Sequence, residues 1–426
     1  MKERIAAILV AMMVSLAVKG QSRDVSYADS RVRTVEFRHS GVSDRRQVRV
    51  PQIVVCHLQT PEELSLDFDV IGTETDVLYY TFRHLDRHGE DDDLMDMEFC
   101  EGINRFDGRD YSSLSFNTTT SYVHYHLDIS TEPLKVSGQY AVEVRTATED
   151  NLVVRVPLWI SEESMGVRSR VERRGGKQNL SLSVSLGETK LTTVEEMMMV
   201  AVWQNKRLDD IREVERPTIV RPGEVVYQDQ ENLEFEGGAE WLWADTRSIR
   251  RTLIRDAAIE YFEPFYHFTL SPDYPMNAYT MREDWNGGSW VQTDDRVDDK
   301  ETAADYVMVH FKYVPVDGKI FEKYDIHVIG DASGWEPTNA NRLEPIYEEQ
   351  CYRGNFLFKQ GLANYTYLKV PKKGRDKTGR YAMGSYHETE NDYFIAVYIR
   401  QPQDTYDRLV CVKTHNTLRG HDDFIR

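Results

Sequence analysis

The chain has 426 residues, of which 40% are hydrophobic and 11% aromatic, so buried cores are available and one core cannot hold the whole length. Its formal charge of −19, from 71 acidic against 52 basic residues, makes it a poor ligand for nucleic acid or anionic membrane surfaces. Global disorder is excluded by the same apolar content, and the tyrosine- and tryptophan-rich aromatics lean towards β-structure.

The opening "MKERIAAILVAMMVSLAVKGQ" has a charged start (Lys2, Arg4), an apolar run from Ile5 to Val18 and a small residue, Gly20, before Gln21. That pattern predicts a signal peptide over residues 1–20, cut after Gly20. The apolar run falls short of the roughly 20 residues a spanning helix needs, and no cysteine follows it for a lipid anchor. Cleavage removes three cations (Lys2, Arg4, Lys19) and one anion (Glu3), which takes the formal charge from −19 to −21.

From there the chain reads as strand after strand. "RVRTVEFRH", "QIVVCHLQ", "LSLDFDVIG", "VLYYTFRHL", "YVHYHLDI", "GQYAVEVRTA" and "NLVVRVPLWI" alternate or are β-branched between turn-rich segments, which predicts a β-sandwich over residues 27–162. Within it, "EDDDLMDME" (Glu90 to Glu98) reads either as a solvated loop or as a patch for a cation or basic partner. The linker "SEESMGVRSRVERRGGKQ" opens a second β-rich module, 163–300, in which Met197 to Met199 read as strand or core residues. Asn286-Gly287, between Trp285 and Trp290, predicts a hairpin turn. After the acidic "TDDRVDDKETAA" a third module is expected over 301–415, followed by a polar tail, 416–426. The predicted fold class is all-β: three β-sandwich-like modules in series.

Chemistry is harder to find. His124 and His126 lie two apart on a predicted strand and so share a face, and His84 and His88 stand beside Asp86 and the acidic run. A metal site needs three or four ligands with supporting groups, and histidines on an exposed strand face explain the same spacing. Cys56, Cys100, Cys351 and Cys411 form an early and a late pair, which makes Cys56–Cys100 and Cys351–Cys411 the candidate disulfides beside free buried thiols. No CxxC, nucleophile elbow, P-loop or HExxH is present, and "HETEN" at His387 lacks the second histidine. The N-x-S/T triplets at Asn117, Asn179 and Asn364 read as chance matches. No catalytic residue, metal, cofactor or small-molecule substrate is expected.

Several segments together resemble one family. They are "SFNTTTSYVHYHLDI" (115–129), "SGQYAVEV" (137–144), "VAVWQNKRLDD" (200–210) and "PTIVRPGEVVYQDQENLEFEGGAEWLWADTRSIR" (217–250). "GLANYTYL" (361–368) and "ENDYFIAVYIRQPQDTYDRLV" (390–410) complete the series. The resemblance is to the type IX secretion system plug proteins of Bacteroidetes. It implies a non-enzymatic periplasmic protein whose partner is the giant outer-membrane β-barrel translocon, with the His-x-His stretch as part of the scaffold. Gly237, Gly238, Glu240, Asp245, Arg247, Ser248 and Arg250 fit the expected pattern, whereas the aromatic positions shift to Trp241 and Trp243. An ion pair between Asp245 and one of these arginines is expected.

The third module has a second resemblance. "IHVIGDASGWEPTN" and "NFLFKQGLANYTYL" look like early-set immunoglobulin-like sandwiches that include glycogen-binding modules. That implies an alternative function, an outer-membrane-associated glycan-binding protein, with Trp335 as the candidate sugar platform.

Overall fold

The structure is a computed structural model that describes residues 25–27, 29–41, 53–189, 191, 193–251, 258–294, 299–374, 378–418 and 420–422. The predicted signal peptide lies outside the described residues. No helix among the described residues is long and apolar enough to cross a membrane.

The first module is a two-sheet sandwich. One sheet orders Val32–His39, Glu63–Ile71, Tyr122–Ser130 and Arg109–Leu114; the other is built on Leu152–Ser161, Gly138–Thr146 and Leu78–Leu85. Period-two alternation places the side chains: along Tyr122–Ser130, Val123, Tyr125, Leu127 and Ile129 enter the core, and His124, His126 and Asp128 point outward. Leu66 and Phe68 of the adjacent strand and Phe82, Val142 and Val156 of the facing sheet join them in that core.

The middle module differs from the expectation in its connectivity. One of its sheets holds Gly166–Arg174, Lys177–Ser185, Glu224–Tyr227, Ile219–Arg221 and Glu234–Glu236. The other orders Arg212–Val214, Met198–Gln204, Asp392–Ile399, Arg408–Asn416 and Gly420–Asp422. The chain's end therefore returns to close the middle sandwich, with Val200 opposite Val397 and Val202 opposite Ile395. Part of the expected tail is itself a strand, since Gly420–Asp422 pairs with Arg408–Asn416.

The described residues between, from Gly237 to about Tyr386, form the third module. Its ten-stranded sheet joins Leu242–Asp245, Ala258–Phe262, Phe265–Thr269 and Ser289–Val291 to Tyr306–Tyr313, Tyr324–Ile329, Arg342–Ile346, Cys351–Lys359, Gly361–Pro371 and Arg380–Tyr381. The expected boundary at residue 300 would separate strands that hydrogen-bond to one another, because Phe265–Thr269 pairs with Tyr306–Tyr313 and Leu242–Asp245 with Gly361–Pro371. The third module is thus an insertion in the middle sandwich, and the three modules are nested rather than in series.

The Asn286-Gly287 turn forms with both residues at positive φ, 48° and 92°. It does not make a hairpin: residues 270–285 form no strand, and Ser289–Val291 pairs with Gly361–Pro371 instead. A Cβ on Gly287 would stand 2.4 Å from Trp335 and 2.8 Å from Trp241, so glycine is required by packing as well as by backbone.

The modules share a core. Ile53, Val55 and Trp159 of the first module pack on Met199, Ala201, Trp203, Phe394, Ala396 and Leu409 of the middle one. Trp203 stacks between Trp159 (5.7 Å) and Phe394 (5.8 Å). The nested order makes a direct prediction. A fragment of residues 163–300 lacks the strands that close the middle sandwich and will show no cooperative thermal transition; sharp unfolding of that fragment would contradict the strand order.

Candidate functional site

His124 and His126 share the outer face of their strand, as their spacing requires, and each finds a carboxylate on the neighbouring strand. Antiparallel register sets Asp69 opposite His124 and Asp67 opposite His126. The contacts are 2.8 Å from His124 Nδ1 to Asp69 Oδ1 and 2.6 Å from His126 Nδ1 to Asp67 Oδ1. His84 lies on the opposite sheet, bonded to Asp92 and to Ser137 O, and His88 pairs with Glu213 of the middle module at 2.9 Å. The structure therefore does not assemble the four histidines around one point.

It assembles a seam between modules instead. Asp69, fully buried, accepts from Lys359 Nζ at 2.6 Å and from the Tyr306 hydroxyl at 2.7 Å, both of the third module. Lys359 also donates to Glu301 O at 2.6 Å and lies over the Tyr122 ring. Tyr122 donates its hydroxyl towards Glu301 O and Ala304 O, at 2.9 and 2.8 Å. Backbone N–H groups of Thr119 and Thr120 donate to Asp305 at 2.9 and 3.3 Å. The stretch 115–129 is thus the surface by which the first module holds the third. Tyr306 and Lys359 lie 237 and 290 positions from Asp69, so no local pattern announces them. Burial alone lowers the His124 pKa, and the hydrogen bond and charge of Asp69 outweigh it, so the imidazole titrates above its ordinary value.

A second polar seam lies where the chain enters and leaves the insertion. Gln178 donates to His387 O and Thr389 O (3.0 and 2.8 Å) and accepts from Tyr393 OH at 2.7 Å. Gln204 donates to Tyr393 OH and Glu236 O, both at 2.9 Å, and accepts from Tyr381 OH at 2.9 Å. Asn205 donates to Asn391, which donates to Gly237 O, and Asp392 accepts from Asn286 and Asn416. A Cβ at Gly237 would lie 1.9 Å from Tyr386 O, which is how closely the two crossings of the chain approach. Nearby, Trp241 N and Asn286 N donate to Asp284, whose carboxyl burial pushes up to about 7. Asp245 and Arg247 form the expected ion pair, two parallel bonds of 2.9 and 2.6 Å.

The quoted stretches supply part of each seam, Thr119, Thr120 and Tyr122 in the first and Gln204, Asn205, Asn391, Asp392 and Tyr393 in the second. Residues 32–162, which carry the first module's side of the Asp69 seam, match the model of the type 9 secretion system plug protein first domain. The first sandwich is therefore a type 9 secretion system plug protein first domain. A crystal structure of a hypothetical protein from Parabacteroides merdae ATCC 43184 is similar in fold, with a TM-score of 0.84 and 22% identity over 93% of this chain and 100% of that one. No curated protein matches the chain.

The remaining candidates resolve differently. The cysteines are free and buried. Cys56 and Cys100 both line the plug-domain core as thiols, whereas Cys351 belongs to the inserted module and Cys411 to the middle core, so the late pair expected from spacing is split between modules. Burial pushes the Cys56 and Cys100 thiols up and Cys411 up to about 12. Trp335 is 3% exposed, packs edge-on against Trp241 at 5.4 Å and donates to Asp331 at 2.7 Å, so it cannot be a sugar platform.

One metal-capable group escaped the sequence reading: His39, Cys56 and Glu62 of the plug domain bring their donor atoms within 4.8 Å of one another. Three separate segments supply it, so spacing gives no signal. Its carboxylate already accepts from His39 Nδ1 (2.9 Å) and His57 N (3.2 Å), and the thiol is one that burial keeps protonated. The geometry is that of an ion pair over a core cysteine. A cavity of about 130 Å³ opens nearby between the plug domain and the insertion. Among the charges lining it, Arg38 pairs with Glu36 (2.9 Å) and Asp67 (2.8 Å) and Lys206 with Asp331 (3.7 Å), while Arg33 donates to the Ser30 and Val32 carbonyls at 2.7 Å.

The Asp69 seam predicts two outcomes. Lys359→Met strands a buried carboxylate and will cost about 3 kcal/mol in urea unfolding, part of it regained in the Lys359→Met/Asp69→Asn double variant; no loss would mean the seam is open to water. His124 has a raised folded-state pKa, so its contribution is complete below the unfolded value of about 6.5 and is lost as pH rises through the folded value. The difference in melting temperature between wild type and His124→Gln will therefore shrink from pH 5.5 to pH 8.5, and a constant difference would mean that folding does not shift the imidazole's pKa.

Proposed function

We propose that the chain is a non-catalytic periplasmic plug, which binds the periplasmic mouth of the outer-membrane β-barrel translocon of type IX secretion and closes it when no cargo or shuttle partner is there. The observation that carries this reading is the match of residues 32–162 to the family's first domain. The predicted signal peptide supports export, and the outer-membrane association follows from the partner.

The physics of the task agrees with the architecture. A barrel wide enough for folded cargo leaks small molecules unless a bulky, stiff body fills its mouth. Two buried polar seams and a shared apolar core tie the plug domain, the middle sandwich and the insertion into such a body. The chemistry of the site residues points the same way: their carboxylates, imidazoles and amides are engaged with one another across module boundaries, which fixes shape and activates nothing. The glycan alternative loses its candidate residue, since Trp335 is core.

Affinity purification of the tagged protein from detergent-solubilised envelopes of its own host tests the reading. A giant outer-membrane barrel is expected at near-equal amount. Recovery of the protein alone, or in company with polysaccharide-uptake components, would refute the plug assignment.

A further inference from the structure

The acidic run of the plug domain belongs to an excursion between strands Leu78–Leu85 and Arg109–Leu114 that is held firmly to the sandwich. Asn104 bonds both backbone groups of Phe82, at 2.9 and 2.8 Å, and Phe106 pairs with Tyr80 and stacks on it at 5.2 Å. Phe99 and Cys100 enter the core, Glu101 N donates to Pro133 O at 2.8 Å, and Lys135 Nζ donates to Met97 O. Its first turn rests on the middle module through Arg87 and His88.

On this anchored backbone three large apolar side chains face water: Met95 is 67% exposed, Met97 70% and Ile103 82%. Anchoring elsewhere in the loop leaves them no route into the core. Around them Asp93, Asp96 and Glu101 are exposed and pair with no cation among the described residues. Scattered single apolar residues on a surface need no explanation; three within nine positions, on a fixed loop ringed by unpaired acid, do.

We infer that residues 93–103 are a preformed docking loop, whose occupant is a protein surface with an apolar pocket rimmed by lysine and arginine. Charge complementarity selects that occupant. A second copy docking about a two-fold axis would set the acidic ring against itself, and an anionic lipid surface would be repelled. Methionine suits the task because its unbranched thioether adapts to the pocket it enters, and a fixed backbone spares the ordering cost of binding. The inference rests on the plug reading and adds to it the contact face: the basic rim belongs to the translocon.

The test uses the full-length tagged protein in its own host, with wild type beside Met95→Ser/Met97→Ser/Ile103→Ser and Asp93→Lys/Asp96→Lys/Glu101→Lys. Both variants should elute as wild type and keep its melting temperature, since the altered side chains are exposed. Recovery of the barrel should fall about tenfold or more for each, as loss of an interface hot spot requires. Undiminished recovery by both variants overturns the docking loop and leaves the plug reading standing. If wild type brings down no barrel, the plug reading fails and the loop's assignment with it. A wild-type dimer that the apolar variant converts to monomer would assign the loop to a second copy and overturn the inference.

Discussion

All three modules depend on one strand, Met198–Gln204, which is buried along its whole length. Its alternate side chains serve two cores: Met198, Val200 and Val202 face the middle sandwich, and Met199, Ala201 and Trp203 face the plug-domain sheet that contains Leu152–Ser161. A strand apolar on both faces must be covered on both, and also along its edges. Asp392–Ile399 from the chain's end supplies one edge and Arg212–Val214 the other. Gln204, at its end, then meets the crossings into and out of the insertion. Remove this strand and the middle core, the Trp159–Trp203 stack and the insertion junction lose their common member.

Apolar burial ties the modules together but does not orient them, because it is non-directional. Orientation comes from the polar seams, where bond lengths and angles are fixed. Asp69 meets Lys359, Tyr306 and His124 at once, which only one placement of the insertion against the plug domain allows. A buried ion pair adds little net stability over an apolar replacement, yet leaving one partner unmatched is costly, so misplaced arrangements are penalised more than the correct one is rewarded. The Gln178–Tyr393–Gln204–Tyr381 chain acts likewise at the second seam.

Local structure was legible in the sequence to the extent that periodicity is local. Alternation along residues 122–130 identifies the strand and which histidines share a face, and Met197 to Met199, read as strand or core residues, are buried. Partnership was not legible, because strand pairing is non-local and periodicity names no neighbour. Hence residues 392–416 read as the end of a third module when they close the second, and the acidic "TDDRVDDKETAA" passed for a boundary although strands on both sides of it share one sheet. Spacing also paired Cys351 with Cys411 across what proved to be two modules. Trp335 shows the limit of motif shape: a Gly-x-x-x-x-Trp turn fits a sugar platform or a core anchor equally, and the difference is made by Trp241 and Gly287, distant in sequence.

On the plug reading, nesting has a mechanical consequence. An insertion is tethered at two points, and here both tethers pass through the same buried amide network, within hydrogen-bonding distance of each other. Swinging the insertion away would break several buried polar contacts together, each costing about 1–3 kcal/mol if left unsatisfied. The third contact, at Asp69, would have to open at the same time. Internal gating is therefore expensive, and on the plug reading the molecule moves as one body. The same reading requires release to come from outside, by a cargo-bearing or shuttle partner competing for the contacted rim, so that affinity at a rigid surface, and not a hinge within the plug, would set when the channel opens.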